Sequence, residues 1–210
     1  MNIKSIILII VTLSFFSCED NGEEPEVIVT AEELIIAGWV NFETGEYAIA
    51  IEDFNSALSI DASASEAYSG IGWSRIRLEM IDDAQTSFLA ALDGNYAGEE
   101  TFAGLAAISL VKEKYTAAIG YAESILNIDP EWIFEHDNTI DYKDVWLIVA
   151  TAYFHEGNFT EVEAAILKID STYSILENDS ATWIVDGKSY LTYREALAAY
   201  LQSLPSNLNI

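Results

Sequence analysis

The sequence predicts an all-α solenoid of about four helix-turn-helix units, closed at its C-terminal end by a small β-hairpin and a capping helix. Three observations predict it. The chain matches itself at a shift of 34 residues. Each matching segment holds two stretches of helical apolar periodicity separated by a turn. Residues 181–204 then depart from that pattern with strand and cap signals of their own.

The self-similarity is specific in residue type. Glu32 falls on Glu66, Gly38 on Gly72, Trp39 on Trp73, Ala50 on Ala84, Phe54 on Phe88 and Ala57 on Ala91. A second shift of the same length brings Glu100, Ala106, Ala118, Ala122, Leu126 and Pro130 into the frame. Within the first unit, Thr30 and Glu33 form a capping box that opens a helix. Leu34, Ala37, Gly38 and Asn41 follow at helical spacing, Thr44-Gly45-Glu46 interrupts, and Ala50, Phe54, Ala57 and Leu58 resume. Gly38, Gly72 and Ala106 are small enough to let neighbouring helices approach closely. Coincidental spacing in an ordinary helical bundle would not repeat twice at one length.

These units divide the chain into repeats at 31–64, 65–98 and 99–132, an insertion at 133–142 and a degenerate repeat at 143–174. In the last, Val145 to Glu156 and Phe159 to Ile169 flank the turn Gly157-Asn158. Beyond it, Thr182 to Tyr190 reads as a hairpin about Asp186-Gly187. Thr192 and Glu195 then cap a helix that runs to Leu204 and stops at Pro205. Tyr193, Leu197, Tyr200, Leu201 and Leu204 give this helix an apolar face, as the terminal cap of a solenoid requires.

A 34-residue period with these residue types resembles the tetratricopeptide repeat (TPR). In that family the first helix of each pair lines the concave side, where partners dock. The resemblance thus implies a partner-binding face containing Trp39, Phe42, Glu43, Trp73, Ile76, Arg77, Leu110 and Phe154. It also aligns Glu32, Glu66, Glu100 and Asp144 with one another, and Trp39, Trp73, Ala107 and Thr151. An aromatic strip edged by acids suits a protein or peptide segment with basic and apolar residues. Two alternatives accompany this expectation. The C-terminal hairpin or helix could fold into the groove, since an apolar strip of this kind needs a cover. Alternatively, the tryptophans could stack on the sugar rings of a glycan.

The N-terminus carries a different message. Lys4 precedes an apolar run from Ser5 to Phe16, too short for the roughly 20 residues of a membrane-spanning helix and suited to a signal peptide over residues 1–17. The chain's one cysteine, Cys18, follows directly. Phe15-Phe16-Ser17-Cys18 resembles the lipobox of bacterial lipoproteins, in which the cysteine is lipid-modified. The acidic stretch after it, with Glu19, Asp20, Glu23, Glu24 and Glu26, resembles the leader of Bacteroidetes lipoproteins. This resemblance implies a membrane anchor at Cys18, an acidic tether over 18–29, and placement in the outer membrane of a bacterial envelope, facing the periplasm or the surface.

A formal charge of −26 excludes nucleic acid and anionic lipid headgroups as natural partners. No glycine-rich phosphate loop or nucleophile elbow is present in the sequence. His136 and His155 have no second histidine or cysteine at ligand spacing. Glu135, Asp137 and Asp141 lack the glycine and spacing of a calcium loop. No catalytic residue, metal site or cofactor is expected, and the chain reads as a non-enzymatic scaffold.

Overall fold

A computed structural model of the protein describes residues 29–208. The expected signal peptide, Cys18 and nearly all of the expected acidic tether lie outside these residues. Four helix pairs follow one another: α1 (Ala31–Glu43) with α2 (Tyr47–Ile60), α3 (Glu66–Arg77) with α4 (Ile81–Asp93), α5 (Glu99–Val111) with α6 (Tyr115–Ile128), and α7 (Tyr142–Glu156) with α8 (Phe159–Ile169). A two-stranded antiparallel hairpin, β1 (Ile184–Val185) and β2 (Lys188–Ser189), leads to α9 (Tyr193–Ser203). The first helices form one layer, with α1 on α3, α3 on α5 and α5 on α7. Each second helix also meets the first helix of the next pair.

The turn inside each pair is built the same way. Gly45, Glu79, Glu113 and Gly157 all take positive φ, at +84°, +61°, +56° and +78°. The amide of the following residue reaches back five positions, as in Glu46 N–H to Asn41 C=O at 2.8 Å and Lys114 N–H to Ser109 C=O at 2.8 Å. This is the Schellman ending of a helix, which satisfies carbonyls otherwise left without donors. The four turn residues also fix the repeat register. The first three are spaced by 34 and the fourth comes ten residues late, so the insertion contributes ten.

Between pairs, one packing rule holds twice. The fully buried Phe54 ring lies against Gly38 and Gly70, where an added Cβ would sit 2.7 and 2.2 Å from ring carbons. Phe88 lies in the same way against Gly72 and Gly104. The third pair inverts the rule. Ala122 stands where the phenylalanine would be, Ala106 replaces the first glycine, and buried Ile148 of α7 occupies the register position of Gly70 and Gly104. The bulk has moved from the second helix to the next first helix, conserving volume in a close-packed core.

The ends of elements carry their predicted signals. Thr30 and Thr192 close capping boxes with Glu33 and Glu195. Asp141 and Asp144 form a third, opening α7 at Tyr142. Asp186 and Gly187 both have positive φ, the requirement of a type I′ turn. Helix α9 packs on α7 as a cap. It is tied to α8 and the residue after it, the Tyr193 hydroxyl donating to Glu163 at 2.6 Å and the Tyr200 hydroxyl to Asp170 at 2.5 Å.

Candidate functional site

The layer of first helices is divided into two halves by the insertion. Residues 129–141 leave α6, turn through an isolated antiparallel bridge between Ile133 and Asp141, and return to α7. Within the turn, Phe134 N–H bonds Ile140 C=O at 3.0 Å, and Tyr142 N–H bonds Trp132 C=O at 2.7 Å. Trp132, Phe134 and Ile140 are buried while Ile133 and Glu135 point outward, an alternation of extended chain. Phe134 is set against the tryptophans of α1 and α3. It stacks on Trp73 at a centroid distance of 4.6 Å and meets Trp39 edge-on at 6.1 Å.

The structure therefore places six of the predicted partner-binding residues beneath or beside this plug. Trp39 is 5 % exposed, Phe42 3 %, Trp73 0 % and Ile76 1 %. The two charged members hold the plug down. Glu43 Oε1 lies 2.8 Å from His136 Nδ1, and the His136 ring stacks on Trp39 at 3.8 Å. Arg77 Nη2 lies 2.5 Å from Asp137 Oδ2, with the arginine side chain largely buried. The groove thus carries an internal cover, supplied by the insertion rather than by the expected C-terminal hairpin or helix. Burial also takes away the two tryptophan faces that a glycan was expected to stack on.

Each buried indole also binds across the repeat boundary. Trp39 Nε1–H donates to Glu66 Oε1 at 3.0 Å, and Trp73 Nε1–H donates to the Glu100 carbonyl at 3.0 Å. Both bonds span 27 residues. The acidic position of the repeat frame is thus a structural acceptor, with the Glu100 carboxylate engaged instead by the Tyr96 hydroxyl.

The other half of the layer, on α5 and α7, stays open. Leu110, Leu147, Thr151 and Phe154 are half-buried and Val111 is exposed. A cleft of about 360 Å³ lies among Ala107, Leu110, Leu147, Thr151 and the C-terminal tail. The tail itself runs from Pro205 across this cleft. Asn207 N–H donates to Asp144 Oδ1 at 2.7 Å, and Leu208 is 7 % exposed. Arg77 Nη1 lies 3.4 Å from the Leu208 carbonyl. Asp144 is 2 % exposed, and burial raises its carboxyl above the usual range, opposed by the amides of Asn207 and Asp141.

The acids of the insertion are committed locally. Asp137 binds Arg77 through one oxygen and caps Thr139 through the other, and Asp141 caps α7. Among the described residues no three His, Cys, Asp or Glu side chains are grouped to hold a metal ion, and no helix is long and apolar enough to cross a membrane.

Helix pairs stacked at this period, with Schellman turns inside and a capping helix at the end, define a TPR-type helical solenoid. Solved structures of that class superpose on the chain. YrrB, described as a TPR protein with an unusual peptide-binding site, matches with a TM-score of 0.59 at 18 % identity, covering 82 % of this chain and 78 % of its own. MamA matches with a TM-score of 0.54 at 19 % identity, over 66 % of this chain and 70 % of its own. A tetratricopeptide repeat protein from Parabacteroides merdae matches at 0.53 and 17 %, over 68 % and 54 %. No family model and no curated protein matches the sequence.

Proposed function

We propose that this protein is a non-catalytic docking scaffold of the bacterial envelope, anchored to the outer membrane by lipid at Cys18 and binding a protein or peptide segment on its first-helix layer. One observation carries the docking reading. The insertion seals Trp39 and Trp73, yet leaves an apolar strip on α5 and α7 formed by Leu110, Val111, Leu147 and Phe154. Apolar anchors ringed by polar groups are the usual centre of a protein interface. The overall charge of −26 favours a segment that brings basic residues with its apolar ones. The similarity to YrrB, itself described as peptide-binding, agrees with this assignment.

The anchor and the docking face are tested separately. Mass spectrometry of the mature chain from its native membrane is expected to find an acylated cysteine at position 18; an unmodified cysteine or an intact leader would end the anchoring proposal. For docking, the chain is cross-linked in the membrane and its partner identified. Leu110→Asp and Phe154→Asp are expected to lose that partner while keeping the helical circular dichroism. Retention of the partner by both variants would place docking elsewhere.

A further inference from the structure

The repeat frame shows why the tail lies where it does. Position 39 of the first unit and position 73 of the second are tryptophans that donate their indole N–H across the repeat boundary, Trp39 to the Glu66 carboxylate and Trp73 to the Glu100 backbone carbonyl. The same position in α5 is Ala107, and the acid it would address is Asp144. With no indole there, two things are left over: a cleft beside Ala107, and a buried carboxylate that has the Asp141 amide on one oxygen and no indole on the other of the kind Trp39 gives Glu66. The tail supplies both missing parts. Leu208 lines the cleft opposite Ala107, and Asn207 N–H donates to Asp144 Oδ1 as the Trp39 indole donates to Glu66.

We propose that the cleft between α5 and α7 is a docking pocket for an extended peptide segment bearing an apolar side chain next to a free backbone N–H, and that the tail, whose Ser206 and Leu208 line the cleft, partly closes it in cis as a displaceable stand-in. The proposal rests on the docking reading above and says which part of the face is used and what holds it closed. The chemistry of the ligand follows from the tail. Recognition falls mainly on one backbone amide and one apolar side chain. Arg77, reaching the Leu208 carbonyl, adds a donor on the other side of the extended chain. Residues 205–207 are exposed around the single buried anchor, so little apolar surface opposes release. An incoming segment competes with a tethered copy of itself. The apparent affinity of the resting protein is therefore reduced by the fraction of molecules whose pocket is empty.

The test uses the full chain and a labelled synthetic octapeptide, SLPSNLNI, matching the tail. Leu208→Asp places a charge in the apolar pocket beside Asp144 and frees the tail, and this variant should bind the octapeptide about tenfold or more tightly than the unaltered chain. Adding Ala107→Trp restores the frame's indole, fills the pocket and should abolish that binding. Leu110→Arg, at the half-exposed rim, serves the same purpose should the larger side chain perturb folding. An octapeptide with aspartate at its second leucine, SLPSNDNI, should not bind any of them. Equal binding by the Leu208→Asp and unaltered chains, or binding that survives both blocking substitutions, would overturn the proposal. If the octapeptide obeys these rules while a membrane partner is retained by the Ala107→Trp chain, the pocket stands and the docking face of that partner lies elsewhere.

Discussion

Replacing Gly70 by alanine and, separately, Gly120 by alanine should change stability in opposite directions, although both glycines lie inside helices. At Gly120, on the exposed side of α6, an added Cβ meets nothing within 4 Å. Alanine there brings only its better helix propensity and a less flexible unfolded chain, a gain of about 1 kcal/mol. At Gly70 the same propensity gain is opposed by the Phe54 ring. The new Cβ would lie 2.2 Å from Cζ and 2.5 Å from Cε2, so the ring has to retreat by about 1.2 Å to reach the ordinary contact of 3.4 Å. It has nowhere to go, because Gly38 is packed against the same ring and the side chain is fully buried. Forcing a carbon into a core of this density costs about 1–3 kcal/mol, and a shift this large against a rigid ring lies near the upper end. The net expectation is a loss of about 2 kcal/mol for Gly70→Ala. Urea denaturation followed by circular dichroism measures both, and Phe54→Leu in the Gly70→Ala background should recover part of the loss. A Gly70→Ala chain as stable as the Gly120→Ala chain would refute the wedge between repeats.

Further expectations concern the turns, the plug and the cap. Glu79→Gly relieves a left-handed residue at a position where Gly45 and Gly157 already stand, and should raise stability by about 0.5–1 kcal/mol in the same denaturation assay; a loss would mean that the Glu79 side chain holds the turn. Phe134→Ala removes the ring stacked on Trp73 and should cost about 3 kcal/mol. It should also shift tryptophan emission to the red as water reaches Trp39 and Trp73; unchanged emission would show that Phe134 is not their cover. In alkali, burial pushes the Tyr173 phenol up to about 12 and raises Tyr193 and Tyr200 as well, their bonds to Glu163 and Asp170 adding to the effect. The unfolded phenols ionise near 10 while the folded ones keep their protons, so the contribution of these tyrosines to stability is constant below about pH 10 and falls as pH rises above it. Phenolate absorbance should show these tyrosines ionising after the exposed ones and together with loss of helix; ionisation near pH 10 in a chain that stays helical would contradict the packing of α9.

The fold was legible because its determinants repeat. Gly38 and Gly72, Phe54 and Phe88, and Trp39 and Trp73 each do one physical job twice, so a shift of 34 exposes them without any knowledge of contacts. The capping boxes at Thr30 and Thr192 and the Asp186-Gly187 turn were equally readable, since each acts within four residues. The start of α7 was less so. Its box uses Asp141 and Asp144 in place of the Ser/Thr and Glu pattern, so the helix opens at Tyr142 where the sequence placed the end of the insertion. The third interface was hidden for another reason. Ala122 with Ile148 solves the packing problem that Phe88 with Gly104 solves, but with the bulk exchanged between helices, and a residue-by-residue comparison reads this as degeneration.

The candidate site was legible in position and not in use. Register alone placed Trp39, Phe42, Trp73 and Ile76 on one face, and the structure does bring them together. What covers that face was present in the sequence as Trp132-Ile133-Phe134-Glu135-His136. Its alternation is the mark of an extended segment with one buried side, whereas a count of its acids suggests a solvated loop. The tail gave no local sign at all, because Pro205-Ser206-Asn207-Leu208 is ordinary coil. Its place is encoded far upstream and in no motif of its own, by the absence of a tryptophan at Ala107. The open cleft of this chain lies where its period fails. Where the period is kept, as at Trp39 and Trp73, each indole binds the acidic residue of the next unit, through the Glu66 carboxylate or the Glu100 carbonyl, and the insertion covers both rings. Where it fails, at Ala107, a carboxylate and a cavity remain, and whatever fills them must bring an N–H and an apolar side chain.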